Sequence, residues 1–402
     1  MKKAFSKIIV KCKGMATAFT AIKAANSTTA KGGKTGNNDK TAPEEWAKII
    51  VTMATSLGYY FCSFSGEVVY IYVNTYWQKI PSYDLKVFLK ECLCSLLDDD
   101  IKGSKRKDVE ELVKQFPYTT MSLNVQPAKN KINFLNGTLD LVGRNFNPQH
   151  NPNDFLRYVL PYDFNDQATC STFMTYLNRV VPYIEVQDVL AEYIAWLFTD
   201  IKLEKVLFLY GKGCNGKSVF IDIVEALVGK DNVCHESITD MCGDNGGNHR
   251  SNIVGKLLNT CSDVAPNALN GDLFKRLASG EPISTKILYQ DVTSTSDYAR
   301  MLFSLNELPR TNDLTNGYFR RLLIVPFKVQ IPKSEINPNL AKEIIANELP
   351  GIMNWVLKGY GRLTRNQAFT SSRIIDREME IYRNHCLKKD TSNTPLIVLP
   401  YG

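Results

Sequence analysis

Residues 211–218, Gly211-Lys212-Gly213-Cys214-Asn215-Gly216-Lys217-Ser218, have the composition and order needed to hold a phosphate. Gly211, Gly213 and Gly216 permit a tight turn that aims successive backbone N–H groups at one anion. Cys214 and Asn215 complete the cradle, and Val219 opens a helix whose N-terminus favours negative charge. At this spacing Lys217 reaches the β- and γ-phosphates of ATP, and Ser218 holds Mg²⁺. The flanks agree: the apolar run Val206–Tyr210 reads as a strand leading in, and Val219–Val228, closing at Gly229, as a helix leading out.

Three later positions fit a reaction at that phosphate. Leu257–Asp263 reads as a strand ending in an acid, placing Asp263 where a carboxylate can hold the metal's water shell or orient the attacking water. Arg300–Asn306 reads as a second strand, and the amide of Asn306 can position that water or sense the γ-phosphate. Arg320 and Arg321 stand just before the apolar run Leu322–Phe327. Two arginines ahead of a buried strand are costly as structure, and serve best if one reaches the γ-phosphate of a neighbouring subunit. All these residues need a common scaffold. Short β-rich runs (Val206–Tyr210, Leu257–Cys261, Met301–Leu305, Leu322–Pro326) alternate with helical segments from residue 205 onward, the signature of a parallel sheet with crossover helices.

The order of these elements resembles the superfamily 3 helicases, and among them the phage and plasmid primase-helicases with their poxvirus-type relatives. The matching residues are Asn215-Gly216-Lys217-Ser218, Ser262-Asp263, Lys275 with Ser279-Gly280-Glu281, the stretch Ile283–Asp297, Asn306, and Phe319-Arg320-Arg321 before Val325-Pro326-Phe327. Upstream, Phe134-Leu135-Asn136-Gly137-Thr138-Leu139-Asp140, Tyr76-Trp77 and Pro161-Tyr162-Asp163 are similar to the region that precedes the motor in that family. Asp263 stands where the family has glutamate, and Ser279-Gly280-Glu281 where it has Gly-Gly-Asp. The resemblance implies an ATP- and Mg²⁺-dependent ring, most simply a hexamer, acting on single-stranded and fork DNA. It gives the arginine-finger role to Arg321, with Arg320 bracing it. It also implies a channel-lining hairpin at Ile283–Tyr298, with Lys286 as the main DNA phosphate contact and Lys275 and Arg300 as lesser ones. Residues 1–43 are too loosely patterned to be a primer-making domain, so a separate primase or polymerase is the expected partner.

The expected fold is therefore α/β: a P-loop, AAA+-like parallel-sheet ATPase domain at 201–335, preceded by an α+β domain at 44–165 and a helical collar at 166–200. Residues 336–402 are expected to be mainly helical, over Leu340–Leu357 and Ser371–Leu387. Within the α+β domain, 67–80 reads as a hairpin, Leu85–Leu97 as a helix and Ile132–Asp140 as strand, Asn-Gly turn and strand. Residues 103–107 read as a solvated basic turn, and Phe173–Phe198 as one helical stretch. Residues 1–43 read as a basic flexible tail, since 1–40 holds nine lysines against Asp39 and carries more than the whole net charge of +7.

No apolar run is long enough to span a bilayer, and Lys7, Lys11 and Lys13 interrupt any leader-like core. Ten cysteines without a framework spacing read as reduced, partly buried thiols of an intracellular protein, and the resemblance implies the interior of a bacterial or viral host cell. Cys234, His235, Cys242 and His249 cluster, but at spacings of no common zinc knuckle, and read as free thiols and surface histidines. Two other functions compete: a P-loop phosphotransferase, and an ATP-binding initiator or loader that hydrolyses weakly, which the aspartate at 263 keeps open. DNA-stimulated ATPase activity separates the three.

Overall fold

The structure, a computed structural model, describes residues 1–14, 43–64, 68–97, 106–122, 128–262, 269, 271–286, 293–309 and 311–390. They form two units: Met1–Ala128 with Asn147–Val159, and Lys129–Phe146 with the chain from Leu160 on.

The first unit begins with helix α1 (2–14). Here the structure departs from the tail expected over 1–43, of which 15–42 lies outside the described residues. Ala4, Phe5, Ile8 and Cys12 recur every three to four positions and are buried, and the Phe5 ring stacks on Phe88 with centroids 4.1 Å apart. The lysines between them stay exposed and mask this periodicity in a reading by composition. Next come α2 (Pro43–Ser56), β1 (Tyr60–Phe64), β2 (Val68–Tyr72), β3 (Trp77–Lys79), α3 (Ser82–Leu97), α4 (Arg106–Thr119) and β4 (Met121–Ser122), with sheet order β3-β2-β1-β4. Pro43 opens α2 with preset φ, Glu44 and Glu45 favour its first turn, and Trp46, Ala47, Ile50 and Ala54 face the core. Helix α4 was not expected: the basic run at its start drew the reading away from Val109, Leu112 and Phe116, which are buried along one stripe.

Because α1 completes this core, Phe5→Ala is expected to destabilise the first unit by about 3 kcal/mol, the cost of emptying a buried phenylalanine site. Lys7→Gln, on the exposed face, should change stability by less than about 0.5 kcal/mol. Urea titrations of both variants check this, and equal midpoints would show that α1 is not part of the core.

The second unit opens with a small sheet, β5 (Lys131–Phe134), β6 (Gly137–Asp140) and β7 (Asn145–Asn147), the first two forming the expected hairpin. The side chain of Asn136 bonds both ways to the backbone of Phe164, at 3.0 and 2.8 Å. Phe134 packs against Tyr162 and Phe164. These contacts tie the hairpin to the Tyr162–Phe164 stretch of the same unit. The collar stretch forms two helices, α5 (Ser171–Val180) and α6 (Ile184–Trp196), because Pro182 cannot continue a helix.

Then come β8 (Val206–Tyr210), α7 (Lys217–Val228), β9 (Val233–Cys234), α8 (Ile238–Cys242), α9 (Gly246–Asn252), β10 (Leu258–Ser262), α10 (Asp272–Ser279), β11 (Ile283–Thr285), β12 (Thr293–Thr295), β13 (Arg300–Leu305), α11 (Asn316–Phe319) and β14 (Leu322–Pro326). Five strands make a wholly parallel sheet in the order β14-β8-β13-β10-β9. Parallel strands are buried on both faces, which is why β8 and β14 are near-continuous apolar runs. Helices α12 (Leu340–Asn347), α13 (Leu349–Asn366) and α14 (Arg373–Asp390) complete the unit. Helix α13 packs along α6, where the buried Glu192 pairs with Arg362 at 3.0 Å and accepts from the Thr370 N–H at 2.7 Å. Helix α14 packs on β14, and the Tyr382 hydroxyl donates to the Pro309 carbonyl at 2.6 Å. No helix among the described residues is long and apolar enough to cross a membrane.

Candidate nucleotide-binding site

Strand order puts the loop after β8 at a switch point. β8 lies between β14 and β13, and β13 separates it from β10, so three strand ends converge on one edge of the sheet. The loop begins with Gly211 N–H donating to the Leu305 carbonyl at 3.1 Å. A Cβ on Gly211 would sit 2.0 Å from the Phe327 carbonyl oxygen, so only glycine fits. Cys214 (φ 58°) and Gly216 (φ 88°) both take left-handed backbone, turning the chain sharply into α7. No side chain caps α7, which leaves its first N–H groups facing the loop's concavity. Ser218 and Val219 lie in that first turn.

Gly211→Ala is therefore expected to displace the loop from residue 327 and to lower affinity for a fluorescent ATP analogue at least about tenfold, since a misplaced anion cradle loses several aligned N–H groups at once. Fluorescence titration checks it. Unchanged affinity would mean that this loop does not contact the nucleotide.

The buried Lys217 ammonium is the hub of the site. It donates to the Gly211 carbonyl, to Asn215 Oδ1 at 3.2 Å and to Asn306 Oδ1 at 3.3 Å. Two residues picked out independently in the sequence, 89 positions apart, are thus in direct contact. The reason is the sheet: β13 pairs with β8 in register up to Leu305 opposite Tyr210, so the residue after β13 faces the loop after β8. Asn215 is 3% exposed, and its Nδ2 donates to the Phe327 carbonyl at 2.7 Å. Asp263 lies outside the described residues, and β10 carries the chain as far as Ser262, paired with Ser304 on β13.

One contact had no signal in the sequence. The Tyr176 hydroxyl on α5 donates to the Gly216 carbonyl at 2.7 Å, and burial pushes its pKa upward, keeping the phenol in its donating form. A tyrosine in a helical stretch carries no mark of a loop 40 residues away, and only folding α5 against the loop reveals it.

Arg320 and Arg321 lie at the opposite end of the sheet, where the Val206 N–H donates to the Arg321 carbonyl at 2.8 Å. A strand rise of about 3.3 Å per residue puts them roughly 15 Å from their own loop, beyond the reach of an arginine side chain. The two differ in setting. Arg321 is buried, bonded to Ser279 Oγ at 3.0 and 2.9 Å and to the Gly317 carbonyl. Arg320 keeps 56% of its side chain exposed and holds Glu204 at 2.8 Å. An open cavity of about 490 Å³ on this side is lined by Lys275, Arg276, Arg321, Asp272, Glu281 and Leu273.

The three candidate DNA contacts have different surroundings. Lys286 is exposed at the end of β11, its N–H bonded to the Gly247 carbonyl at 3.0 Å, and β11–β12 form the base of the expected hairpin. The tip, 287–292, lies outside the described residues. Lys275 pairs with Asp313 at 2.7 Å; burial opposes the charge on that carboxylate, but hydrogen bonds from Lys275 and Thr315 hold it below the usual range. Arg300 stacks over the Trp196 ring at 3.9 Å, and burial lowers its pKa. It is packed in the fold, unlike Lys286.

Elsewhere, Cys234 is buried and burial pushes its thiol to about 12, while His249 bonds Glu236 at 2.7 Å and His235 bonds Thr260 at 2.9 Å. No three potential metal ligands cluster among the described residues.

Two family profiles match the chain. One is described as "D5 N terminal like" and covers residues 48–182; the other, a family of unknown function, DUF5906, covers residues 209–321. A protein of Acanthamoeba polyphaga mimivirus named "Putative helicase L207/L206" is 22% identical over 281 residues, 63% of this chain. The match spans only 29% of that relative's length. Two apo structures of the NrS-1 C terminal region share the fold. They have TM-scores of 0.53 and 0.51 at 11% and 10% identity, and the match covers 86% and 89% of this chain and 75% and 77% of theirs. Fold and site together define an α/β protein with a phosphate-loop motif at the switch point of a five-stranded parallel sheet. The two profiles match successive stretches of the chain, D5 N terminal like first and DUF5906 second.

Proposed function

We propose that this chain is an ATP-dependent DNA helicase of the superfamily 3 type, which assembles as a ring, most simply a hexamer, and moves along single-stranded DNA in the replication system of a phage, plasmid or virus. The observation that carries the reading is the Lys217–Asn306 contact at 3.3 Å, which joins a phosphate-loop lysine to an amide on the adjacent strand. The likeness to a viral protein named as a helicase supports it.

In this reading Lys217 and the N-terminus of α7 bind the β- and γ-phosphates, and Asn306 orients the attacking water. Ser218, in the first turn of α7, and Asp263 would hold Mg²⁺, which would supply charge neutralisation at the phosphates. Placed roughly 15 Å from their own loop by the strand rise, the arginines serve the next subunit's nucleotide. Of the two, the exposed Arg320 is the better placed to reach out, and the buried Arg321 to anchor the turn. Lys286 grips DNA phosphate without regard to sequence. The protein works inside the host cell beside a separate primase or polymerase.

The test is ATPase activity with and without single-stranded DNA, together with unwinding of a forked duplex. DNA-stimulated hydrolysis with unwinding is expected. Phosphoryl transfer to a small acceptor without DNA stimulation would make the protein a phosphotransferase, and tight ATP binding with neither activity would make it a loading scaffold.

A further inference from the structure

The phosphate loop is bonded to the strand that carries the arginines, through one side chain. Asn215 faces two ways. Its Oδ1 accepts from the Lys217 ammonium at 3.2 Å, and its Nδ2 donates to the Phe327 carbonyl at 2.7 Å. Phe327 directly follows β14, and its N–H continues the pairing of that strand by donating to the Tyr210 carbonyl at 2.7 Å. The same junction is closed from below by the Ile331 N–H on the Cys214 carbonyl at 2.9 Å, and Gly211 packs so tightly on the Phe327 carbonyl that no Cβ fits. At its other end β14 emerges from Arg320 and Arg321. All five β14 residues are buried and paired to β8, so the strand moves as a stiff element and not as a flexible link.

We propose that Asn215 is a positioning residue that couples a subunit's own nucleotide to the arginines it presents to its neighbour. The proposal rests on the ring reading above. A γ-phosphate draws the Lys217 ammonium toward itself and away from Asn215 Oδ1. The freed amide then settles anew against the Phe327 carbonyl, and β14 carries that change to Arg320 at its far end. Occupancy of one site thereby adjusts the finger that serves the next site. The defect of an Asn215 variant should accordingly lie in the neighbour's catalysis, with the variant's own phosphate cradle still able to turn over ATP when served by an intact finger.

The experiment mixes variants of the full chain. Asn215→Ala alone should lose at least about tenfold in ATPase rate, since a misplaced finger loses part of a contribution of about 10³–10⁵. Nucleotide affinity should change less than about threefold, since Lys217 and the loop N–H groups remain. Mixed one to one with Lys217→Ala, whose own site is dead but whose Asn215, with no ammonium to accept from, stays in the freed state that presents the finger, about a quarter of the sites in a cyclic ring pair a live loop with a sound finger, and ATPase activity should rise accordingly. Asn215→Asp keeps the shape and the acceptor but loses the donor to Phe327, and should behave alike if the alanine variant folds poorly. The control pair, Lys217→Ala with Arg320→Ala, tests the ring reading itself. If the control recovers activity and the Asn215 pairs do not, Asn215 acts only on its own site and the proposal is overturned. If the control fails as well, both with Arg320→Ala and with Arg321→Ala in its place, the ring reading falls first.

Discussion

Lys217→Ala is expected to reduce ATP hydrolysis by at least about 10³-fold, to background, while the protein remains folded. Loss of one preorganised charge-stabilising donor typically costs about 10²–10³ in rate, and in the proposed function this lysine serves both binding and the developing charge on the transferred phosphoryl group. The fold should survive because Lys217 packs no core. Its ammonium bonds only to polar atoms at the sheet edge, the Gly211 carbonyl, Asn215 Oδ1 and Asn306 Oδ1 among them. Water can reach those oxygens once the side chain is removed, so no buried acceptor is stranded. The α7 helix keeps its left-handed Gly216 entry and its buried face of Phe220, Ile223, Val224 and Leu227. Steady-state ATPase assays beside circular-dichroism melting curves check both halves. Hydrolysis at the parental rate would remove the loop from the chemistry, and a collapsed melting curve would make Lys217 a structural residue.

The second large effect concerns the arginines. Arg320→Ala should cost about 10³–10⁵ in ATPase rate, the usual worth of an arginine finger, with little change in melting temperature, because its side chain is mostly exposed and its ion pair to Glu204 is at the surface. Arg321→Ala should also lower activity, but together with stability, because it strips Ser279 and the Gly317 carbonyl of a buried partner. Mixing Lys217→Ala with Arg320→Ala should restore activity at sites that combine an intact loop with a neighbour's intact arginine. Full activity of Arg320→Ala, with complementation shown instead by a well-folded Arg321→Ala, would return the finger role to Arg321. Full-rate hydrolysis by a monomer would remove any role in trans.

Much of the parallel-sheet region was legible because its signals are local. Strands Val206–Tyr210 and Leu322–Pro326 match the structure residue for residue, since buried parallel strands are short apolar runs bounded by breaks. The phosphate loop declares itself through its glycines, two of which no other residue could replace: Gly211, for the 2.0 Å approach to the Phe327 carbonyl oxygen, and Gly216, for its left-handed backbone. The first unit was harder. Helix α1 hides four buried residues among lysines. In the second unit, the break at Pro182 was read through because the apolar spacing runs on both sides of it.

By itself the sequence determined which chemistry is possible: a loop for phosphate, an amide at Asn306 and two arginines before a strand. It could not determine which of these meet. Strand order alone decided that Asn306 touches Lys217 and that the arginines stand at the far end of the sheet, because parallel pairing brings the ends of strands distant in sequence to one edge. Burial, too, was decided only by packing. Arg320 and Arg321 are the same residue type side by side, yet Ser279 and Gly317 enclose one and leave the other exposed. Arg300, alike in composition to a DNA contact, spends its charge on the Trp196 ring. A residue's partners come from elements that meet only when the chain folds, and no local pattern in the sequence records them.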